Sequence, residues 1–521
     1  MSIDVPPQPV MAAPVQTRPV HTGLRADRHT KRPHRETRFD RLMTRALTSH
    51  GIWLAPILIA QAWLAFRLNN SLEEDEALYI NAGHQIIAHL LHGTRSPDFG
   101  AYFSGVPTLY AVPAAMIDHL GGVVAVHAAN TAMVLAATVV AYLATRRVFG
   151  QGAGLIAAAI FGLNPATIFV GRFASLDAPC LLLLAIAFYL AVRSPDRRRY
   201  AIALGPCLAL ATAEKYFALA FIPSVLAVAF LVVLQRRDAR RAARTTGIAV
   251  IGLLVCCGLA ALVANHHDWQ GMLSTSLNRT TLLPESRLSL VRDCLTYVGG
   301  LTAAGLIGVA LGWRRHAALA IVLLTTSLVP AVVQIRFSES ASLHKNIAFG
   351  VLFLAPLVGV TGMALLRRGR FLGSRAATAL VCAGLVLSSG MGTSQAMVYG
   401  WPNSNHINLV LAHYVRAGTE KYLADDSSIP AYYLSGITGY NQWETTYDGQ
   451  YQGSNGAEVM QDQLANGEFA LFLYRDEGAT IGLDQQMLTI LRNRYTLVAK
   501  VPFSKTDQHH FWYLWRAELP R

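Results

Sequence analysis

Apolar stretches dominate the chain between residues 51 and 395, and short polar connections separate them. Several of these stretches approach or exceed the roughly 20 residues that a helix needs to cross a bilayer. The pattern predicts an α-helical polytopic membrane protein. Its expected transmembrane helices, about 11 in all, lie near 51–69, 122–145, 152–170, 178–192, 200–213, 217–234, 245–264, 292–312, 317–333, 346–366 and 376–395.

The pattern changes after residue 395, where the apolar runs become shorter. Strand-like alternation occurs at Ala431–Leu434, Phe469–Tyr474, Thr496–Pro502 and His510–Trp515, and helical patterns occur at 457–465 and 483–493. Residues 396–521 are therefore predicted to form a small α/β domain. Between these elements, residues 436–456 are rich in Tyr, Gly, Asn and Gln. They form either a sugar-binding or lid loop, or an ordinary surface loop.

Composition agrees with a membrane protein. The chain is 53% hydrophobic and 14% charged, whereas soluble domains carry about 25% charged residues. A net charge of +13 in a soluble protein would suggest nucleic acid. Here the basic residues lie largely between the apolar runs, so orientation in a bilayer explains them and no nucleic-acid partner is expected. The six cysteines form neither a metal-ligand spacing nor a disulfide framework.

The basic residues predict the orientation. They concentrate in the connections 146–151, 193–199, 235–244, 313–316 and 367–375 and in residues 1–50, which read as a disordered tail. The positive-inside rule places these segments, including the N-terminus, in the cytoplasm. The first outer loop is then 70–121, and residues 396–521 lie in the periplasm or outside the cell. If the segment Val106 to Leu120 crossed the bilayer, every later connection would lie on the opposite side. We therefore interpret this segment as an interfacial helix, with a span as the alternative.

The acids support this orientation independently, because they were not used to assign it. The cytoplasmic connections contain Asp196 and Asp238. The outer segments before residue 396 contain Asp75, Asp98, Asp118, Asp177, Glu214, Asp268, Glu285 and Glu339. Any chemistry that uses carboxylates is therefore expected to face outward.

One acidic run stands out, the stretch SLEEDEALY directly after the first predicted span. Its residues Asp75 and Glu76 lie at the membrane face, and Tyr79 follows. An acidic run in a loop is more often a solvated surface. A carboxylate at this place is, however, also suited to accept the proton of an attacking hydroxyl group.

Other candidate residues lie at outer helix ends. Asp177 follows Arg172 by five positions at the outer end of the third span. Scattered cations occur on the same side, namely Lys215, Arg279, His344 and Lys345. They either bind a lipid phosphate, which pairs strongly with such cations, or are snorkelling side chains. The cluster at 266–268 (His, His, Asp) is more typical of a wet loop than of a metal site, so no metal and no cofactor are expected.

The acidic run resembles the start of the first outer loop in the GT-C class of polyprenyl-phosphate-sugar glycosyltransferases. The similarity is to family 39, which holds the protein O-mannosyltransferases, and to the bacterial lipid A aminoarabinose transferase. Those families open this loop with an Asp-Glu pair and a tyrosine a few residues on, as Asp75, Glu76 and Tyr79 do here. The resemblance implies that Asp75 is the base.

Further positions resemble the same families over roughly residues 50–365 and, more loosely, the terminal domain. Asp177 resembles their second acid, Lys215 a lysine at the outer end of the fifth span, and Ser342–Asn346 an SL-x-K-H-like motif of actinobacterial members. The chain also departs from the pattern. Leu78 stands where the aminoarabinose transferase has arginine, and the Pro-Pro or Lys-Pro element is reduced to Val106-Pro107. These departures concern the residues that hold phosphate and the choice of substrate.

The resemblance implies an inverting glycosyltransferase of the plasma membrane. The donor is a sugar on a polyprenyl phosphate, and the acceptor is a glycan, lipid or protein hydroxyl. The catalytic set is then Asp75, Glu76 and Asp177, and the substrate-binding set is Tyr79, Arg172, Lys215, Arg279, His344 and Lys345. A transporter or lipid flippase is the alternative, although it predicts ionisable residues near span centres. A non-catalytic scaffold, which needs no set of outer acids, is the third possibility.

Overall fold

The computed structural model describes residues 52–101, 103–264, 266–276, 285–340, 342–368, 384, 386, 389–446, 456–476, 485–503 and 509–518. All of them belong to one compact unit, His50–Arg521. The predicted N-terminal tail and most of the predicted last span lie outside these residues.

Helices account for most of the described chain. The first thirteen are α1 (Leu54–Phe66), α2 (Glu74–His92), α3 (Pro107–Phe149), α4 (Gln151–Gly162), α5 (Pro165–Arg172), α6 (Asp177–Arg193), α7 (Arg198–Glu214), α8 (Ile222–Leu234), α9 (Ala239–Val263), α10 (His266–Ser276), α11 (Arg287–Ser327), α12 (Val329–Phe337) and α13 (Leu343–Arg368). Each predicted span up to 346–366 coincides with one or more of these helices.

The described chain has six helices that are long and apolar enough to cross a membrane, and up to seven if the bent pair α4 and α5 is one span. Other predicted spans coincide with shorter helices, such as α1 with its 13 residues. The chain is therefore a multi-pass membrane protein. Its core is built from the inner faces of α3, α6, α7, α8 and α13.

The segment that was predicted to be interfacial is helical and runs into the second predicted span. Helix α3 extends from Pro107 to Phe149 and has non-helical backbone at Gly121 and Gly122, where φ at Gly122 is +66°. This break separates the segment 107–120 from the apolar helix that follows. The segment packs against α2, where Tyr79, Ile80 and Tyr110 share a buried cluster.

The terminal region is an α/β fold, as predicted. Its elements are α14 (Asn405–Leu411), β1 (Lys421–Ala424), α15 (Ser428–Tyr433), β2 (Trp443–Thr445), α16 (Gly456–Ala465), β3 (Phe469–Arg475), α17 (Gln485–Arg494), β4 (Tyr495–Pro502) and β5 (Phe511–Ala517). The strand order is β2-β1-β3-β5-β4. β1 pairs in parallel with β2 and β3, whereas β5 is antiparallel to β3 and β4.

Three of the predicted strands and both helices of this region are confirmed, and one strand is wrong. The alternation at Ala431–Leu434 belongs to helix α15, which begins at Ser428. The run is too short for its period to separate a strand from a helical turn. Strands β1 and β2 were not predicted. Of the loop 436–456, the structure describes residues 436–446 and Gly456, which begins α16.

Connections predicted to lie in the cytoplasm meet at one acid. Asp196 is 2.5 Å from Arg147, 2.7 Å from Arg193 and 3.5 Å from Arg236. Three of the five basic connections therefore lie at the same end of the helix bundle.

Candidate active site

The acidic run forms the beginning of α2. Glu73 is the N-cap, and its carboxylate accepts from the backbone N–H of Asp75 at 2.8 Å. The carboxylate of Glu76 accepts in return from the N–H of Glu73 at 3.1 Å, which completes a capping box. Acids in the first helical turn are also stabilised by the helix dipole. The run therefore forms the N-cap and first turn of α2, and each of its acids has a distinct environment.

Two of the acids are bound to backbone groups. Glu74 accepts from the N–H of Ser428 at 3.1 Å and of Ile429 at 3.3 Å, so it joins α2 to the terminal α/β region. Burial, followed by repulsion from Asp426, raises the pKa of Glu74 to about 8. Burial, followed by repulsion from Asp75, also raises the pKa of Glu73. Both carboxylates therefore already accept backbone hydrogen bonds.

Asp75 is different because its carboxylate meets a cation and remains partly open. Its Oδ2 atom is 2.8 Å from Nζ of Lys345. The Asp75 side chain is 41% exposed, whereas that of Lys345 is 9% exposed. The ammonium group of Lys345 also lies 4.9 Å from the centroid of the Phe173 ring, within cation–π range. An open carboxylate is thus held beside a buried cation.

A second acid–lysine pair is fully buried. Asp177 accepts from Nζ of Lys215 at 2.5 Å and from the hydroxyl of Ser175 at 2.8 Å. Nζ of Lys215 also donates to the side-chain oxygen of Asn346 at 3.0 Å. Because Asn346 follows Lys345 at the start of α13, that single helix end reaches both pairs. The fold therefore brings together Asp75, Asp177, Lys215 and Lys345, which are hundreds of residues apart in some cases.

Glu76 lies in a buried network beside this cluster. Its Oε1 atom accepts from the backbone N–H of Ala174 at 2.7 Å and is 2.8 Å from Nε2 of His127. Burial raises the pKa of Glu76 to about 7, although hydrogen bonds from Ala174 and Glu73 lower it. The side chain is 3% exposed. This environment suits a residue that positions the loop rather than one that contacts substrate.

The remaining predicted residues surround the cluster. Tyr79 is buried, with its ring centroid 4.8 Å from that of Phe103 and 5.8 Å from that of Tyr110. His344 packs edge-on against Phe169, with 4.7 Å between ring centroids. Arg172 donates to the carbonyl of Leu68 at 2.6 Å and lines a small cavity beside Glu76. Arg279 lies outside the described residues.

Several residues of the site had not been identified from the sequence. Asn346 and Ser175 are uncharged partners of Lys215 and Asp177, so no charge pattern marks them, and Asn346 was noted only as the end of the segment Ser342–Asn346. His127 gives a clearer signal, because an ionisable residue in an apolar span is costly unless it has a partner. Burial raises the pKa of Asp426, and Arg475 lowers it. The negative charge of Asp75, which lies nearby, raises it further. A side chain from the terminal region therefore reaches the edge of the site.

No group of three or more His, Cys, Asp or Glu side chains that could hold a metal ion occurs in the part of the chain that the structure describes. The side chains of residues 266–268 are outside that part.

Comparisons with known proteins agree with this architecture. Residues 110–261 match the family described as dolichyl-phosphate-mannose-protein mannosyltransferase. ArnT from Cupriavidus metallidurans bound to undecaprenyl phosphate is similar in structure, with a TM-score of 0.59 and 14% identity over 89% of this chain and 97% of that chain. The chain has the GT-C fold. The archaeal oligosaccharyltransferase AglB from Archaeoglobus fulgidus, in complex with an inhibitory peptide and a dolichol-phosphate, is also similar. Its TM-score is 0.54, with 12% identity over 88% of this chain and 74% of that chain.

The predicted GT-C resemblance is thereby confirmed, and the family match and the fold together support a membrane glycosyltransferase. A search of curated protein sequences found no match to the chain.

Proposed function

We propose that the chain transfers a sugar from a polyprenyl-phosphate donor to a hydroxyl group of an acceptor on the outer face of the plasma membrane, with inversion at the sugar carbon. The support comes from the environment of Asp75. Of the four acids in its run, it is the one that pairs with a lysine and keeps an exposed carboxylate. The GT-C neighbours contain undecaprenyl phosphate or dolichol-phosphate, which supports a lipid-linked donor.

In this mechanism Asp75 accepts the proton of the acceptor hydroxyl as its oxygen attacks the sugar carbon. The bond from that carbon to the phosphate oxygen breaks, and the phosphate leaves with its electron pair. Lys345 and Lys215 stabilise the negative charge that develops on the leaving phosphate. Asp177 and Asn346 hold Lys215 in place. The proposal assigns the stabilisation of charge to these lysines and needs neither a metal nor another cofactor.

The test is an analysis of lipid-linked sugars in host cells that lack the protein. We expect a polyprenyl-phosphate sugar to accumulate and to disappear when the wild-type chain is expressed again. The variant Asp75→Asn removes the base but keeps the size of the side chain. It should consume the accumulated lipid-linked sugar, a rate that we call clearance, at least about 100-fold more slowly than wild type. Analysis of the anomer in the product tests inversion in the same experiment.

The matched control is Asp462→Asn, the same substitution at an exposed position of α16. It should clear the lipid-linked sugar at the wild-type rate. Clearance by Asp75→Asn at the control's rate, at equal expression, would exclude Asp75 as the base. If no lipid-linked sugar accumulates without the protein, the proposed reaction is wrong.

A further inference from the structure

His127 is a buried histidine in the membrane part of α3, just after the break at Gly121 and Gly122. It is 6% exposed, and its Nε2 atom is 2.8 Å from Oε1 of Glu76. The other contacts of the Glu76 carboxylate are backbone N–H donors, from Glu73 and Ala174. Both oxygens of Glu76 accept from backbone N–H groups, so when the carboxylate is ionised Nε2 of His127 is the donor in this contact.

The contacts of Glu76 join the two acid–lysine pairs. On one side, Glu76 caps the helix turn that presents Asp75. On the other side, its bond to Ala174 fixes the loop whose next residue, Ser175, donates to Asp177. The imidazole of His127 is the side-chain donor in this arrangement. The other ring nitrogen, Nδ1, is buried and has no hydrogen-bond partner among the described residues.

We propose that His127 is a positioning residue that sets the spacing between Asp75 and Asp177 by donating from Nε2 to Glu76. The role rests on the proposed function, and His127 itself does not contact substrate. Without the donor, a buried acceptor is left short of a hydrogen bond, and the Glu76 side chain must turn or become neutral. Either change displaces the helix start that carries Asp75. Displacement of a reacting group by about 1 Å can slow a reaction about 100-fold.

The chain contains a second, more exposed histidine–carboxylate contact for comparison. The Nε2 atom of His84 is 2.8 Å from Oδ2 of Asp118, and this contact also joins α2 to α3. Asp118 is additionally held by the hydroxyl of Tyr432 at 2.6 Å. This contact does not reach Asp177 or either lysine. Substitutions of His84 therefore report the general effect of losing a histidine–carboxylate contact between these helices.

The experiment compares His127→Gln and His127→Asn with His84→Gln and His84→Asn. The amide nitrogen of Gln lies close to the position of Nε2, whereas that of Asn lies close to the position of Nδ1. We expect His127→Asn to clear the accumulated lipid-linked sugar about 10- to 100-fold more slowly than wild type, and His127→Gln to restore clearance to within about threefold. Both His84 variants should clear it at close to the wild-type rate. Clearance is measured at a temperature at which every variant is folded.

A second measurement separates positioning from a loss of substrate binding. Binding of labelled undecaprenyl phosphate to the purified full-length protein should be unchanged in His127→Asn, because both lysines remain. If His127→Asn clears the lipid-linked sugar as fast as wild type, the positioning role is wrong and the proposed function is unaffected. The same holds if His127→Gln is as slow as His127→Asn. A parallel loss of undecaprenyl phosphate binding also overturns it. A wild-type chain that clears no lipid-linked sugar overturns the proposed function and this role with it.

Discussion

At the scale of single residues, Lys345 connects the base to the leaving group. Its ammonium group is buried and is held by Asp75 and the Phe173 ring. A phosphate that enters the site competes with Asp75 for this cation, and charge-assisted hydrogen bonds contribute about 1.5–3 kcal/mol. We therefore predict that Lys345→Met weakens binding of undecaprenyl phosphate about 10- to 100-fold, whereas Lys345→Arg keeps most of the affinity. Equilibrium binding to the purified protein is the measurement.

Lys421→Met is the control for this prediction. Lys421 also pairs with a carboxylate, at 2.9 Å from Glu444, but the pair is exposed and lies in the sheet of the terminal region. Removing it should leave undecaprenyl phosphate binding unchanged. Equal affinities of Lys345→Met and Lys421→Met would show that Lys345 does not bind the phosphate.

Most of the residues predicted for the site are ionisable and lie at a predicted outer helix end. That property identified Asp75, Asp177, Lys215 and Lys345, and the fold brings them together. This property did not distinguish Asp75 from Glu76. The two acids differ in burial, because adjacent positions in a helix face different surroundings. The pairing of Glu76 with His127 joins positions 51 apart in the chain. Local pattern contains no information about such a contact.

At the scale of elements, the start of α2 depends on how closely α2 packs against the first part of α3. Gly83 permits this approach, since a Cβ atom there would lie 1.9 Å from the carbonyl oxygen of Ala111 and 2.7 Å from Cβ of Ala115. We predict that Gly83→Ala separates the two helices and destabilises the protein by about 1–3 kcal/mol. Clearance of the lipid-linked sugar should fall with it, because α2 carries Asp75. The melting temperature in detergent measures the first effect.

Gly300→Ala tests whether this result is specific. Gly300 also lies inside a helix, α11, but a Cβ atom there would meet nothing within 4 Å. Alanine favours a helix over glycine by up to about 1 kcal/mol, so this variant should melt no lower than wild type. An equal drop in melting temperature for both variants would contradict the close approach at Gly83.

Elements with a strong period were predictable, and elements defined by their neighbours were not. The long apolar helices and strands β3, β4 and β5 follow from periodicity. Strand β2 has three residues and is a strand because it pairs with β1. Helix α15 contains six residues, and backbone bonds from its start to Glu74 anchor it on α2. Short segments of this kind acquire their structure from tertiary contacts.

At the scale of the whole molecule, charge is segregated between two ends of the bundle. Arginines from three connections meet Asp196 at one end. The buried acid–lysine pair lies instead at the opposite ends of the helices that the connection 193–199 joins, because Asp177 begins α6, which ends at Arg193, and Lys215 follows the last residue of α7, which begins at Arg198. From the positive-inside rule we expect the arginine end to face the cytoplasm. The proposed reaction then requires a donor that has already crossed the membrane.

This orientation predicts the accessibility of two engineered cysteines. Arg240→Cys lies in a basic connection and Asp462→Cys on α16, and both native side chains are exposed. A membrane-impermeant maleimide should label Asp462→Cys in intact cells and Arg240→Cys only after the cells are opened. The wild-type chain gives the background from the native cysteines, of which Cys180 and Cys294 are buried. The opposite labelling pattern would place Asp75 in the cytoplasm, where a polyprenyl-phosphate sugar is available without transport. The proposed reaction on the outer face would then be wrong, even if Asp75 proved to be the base.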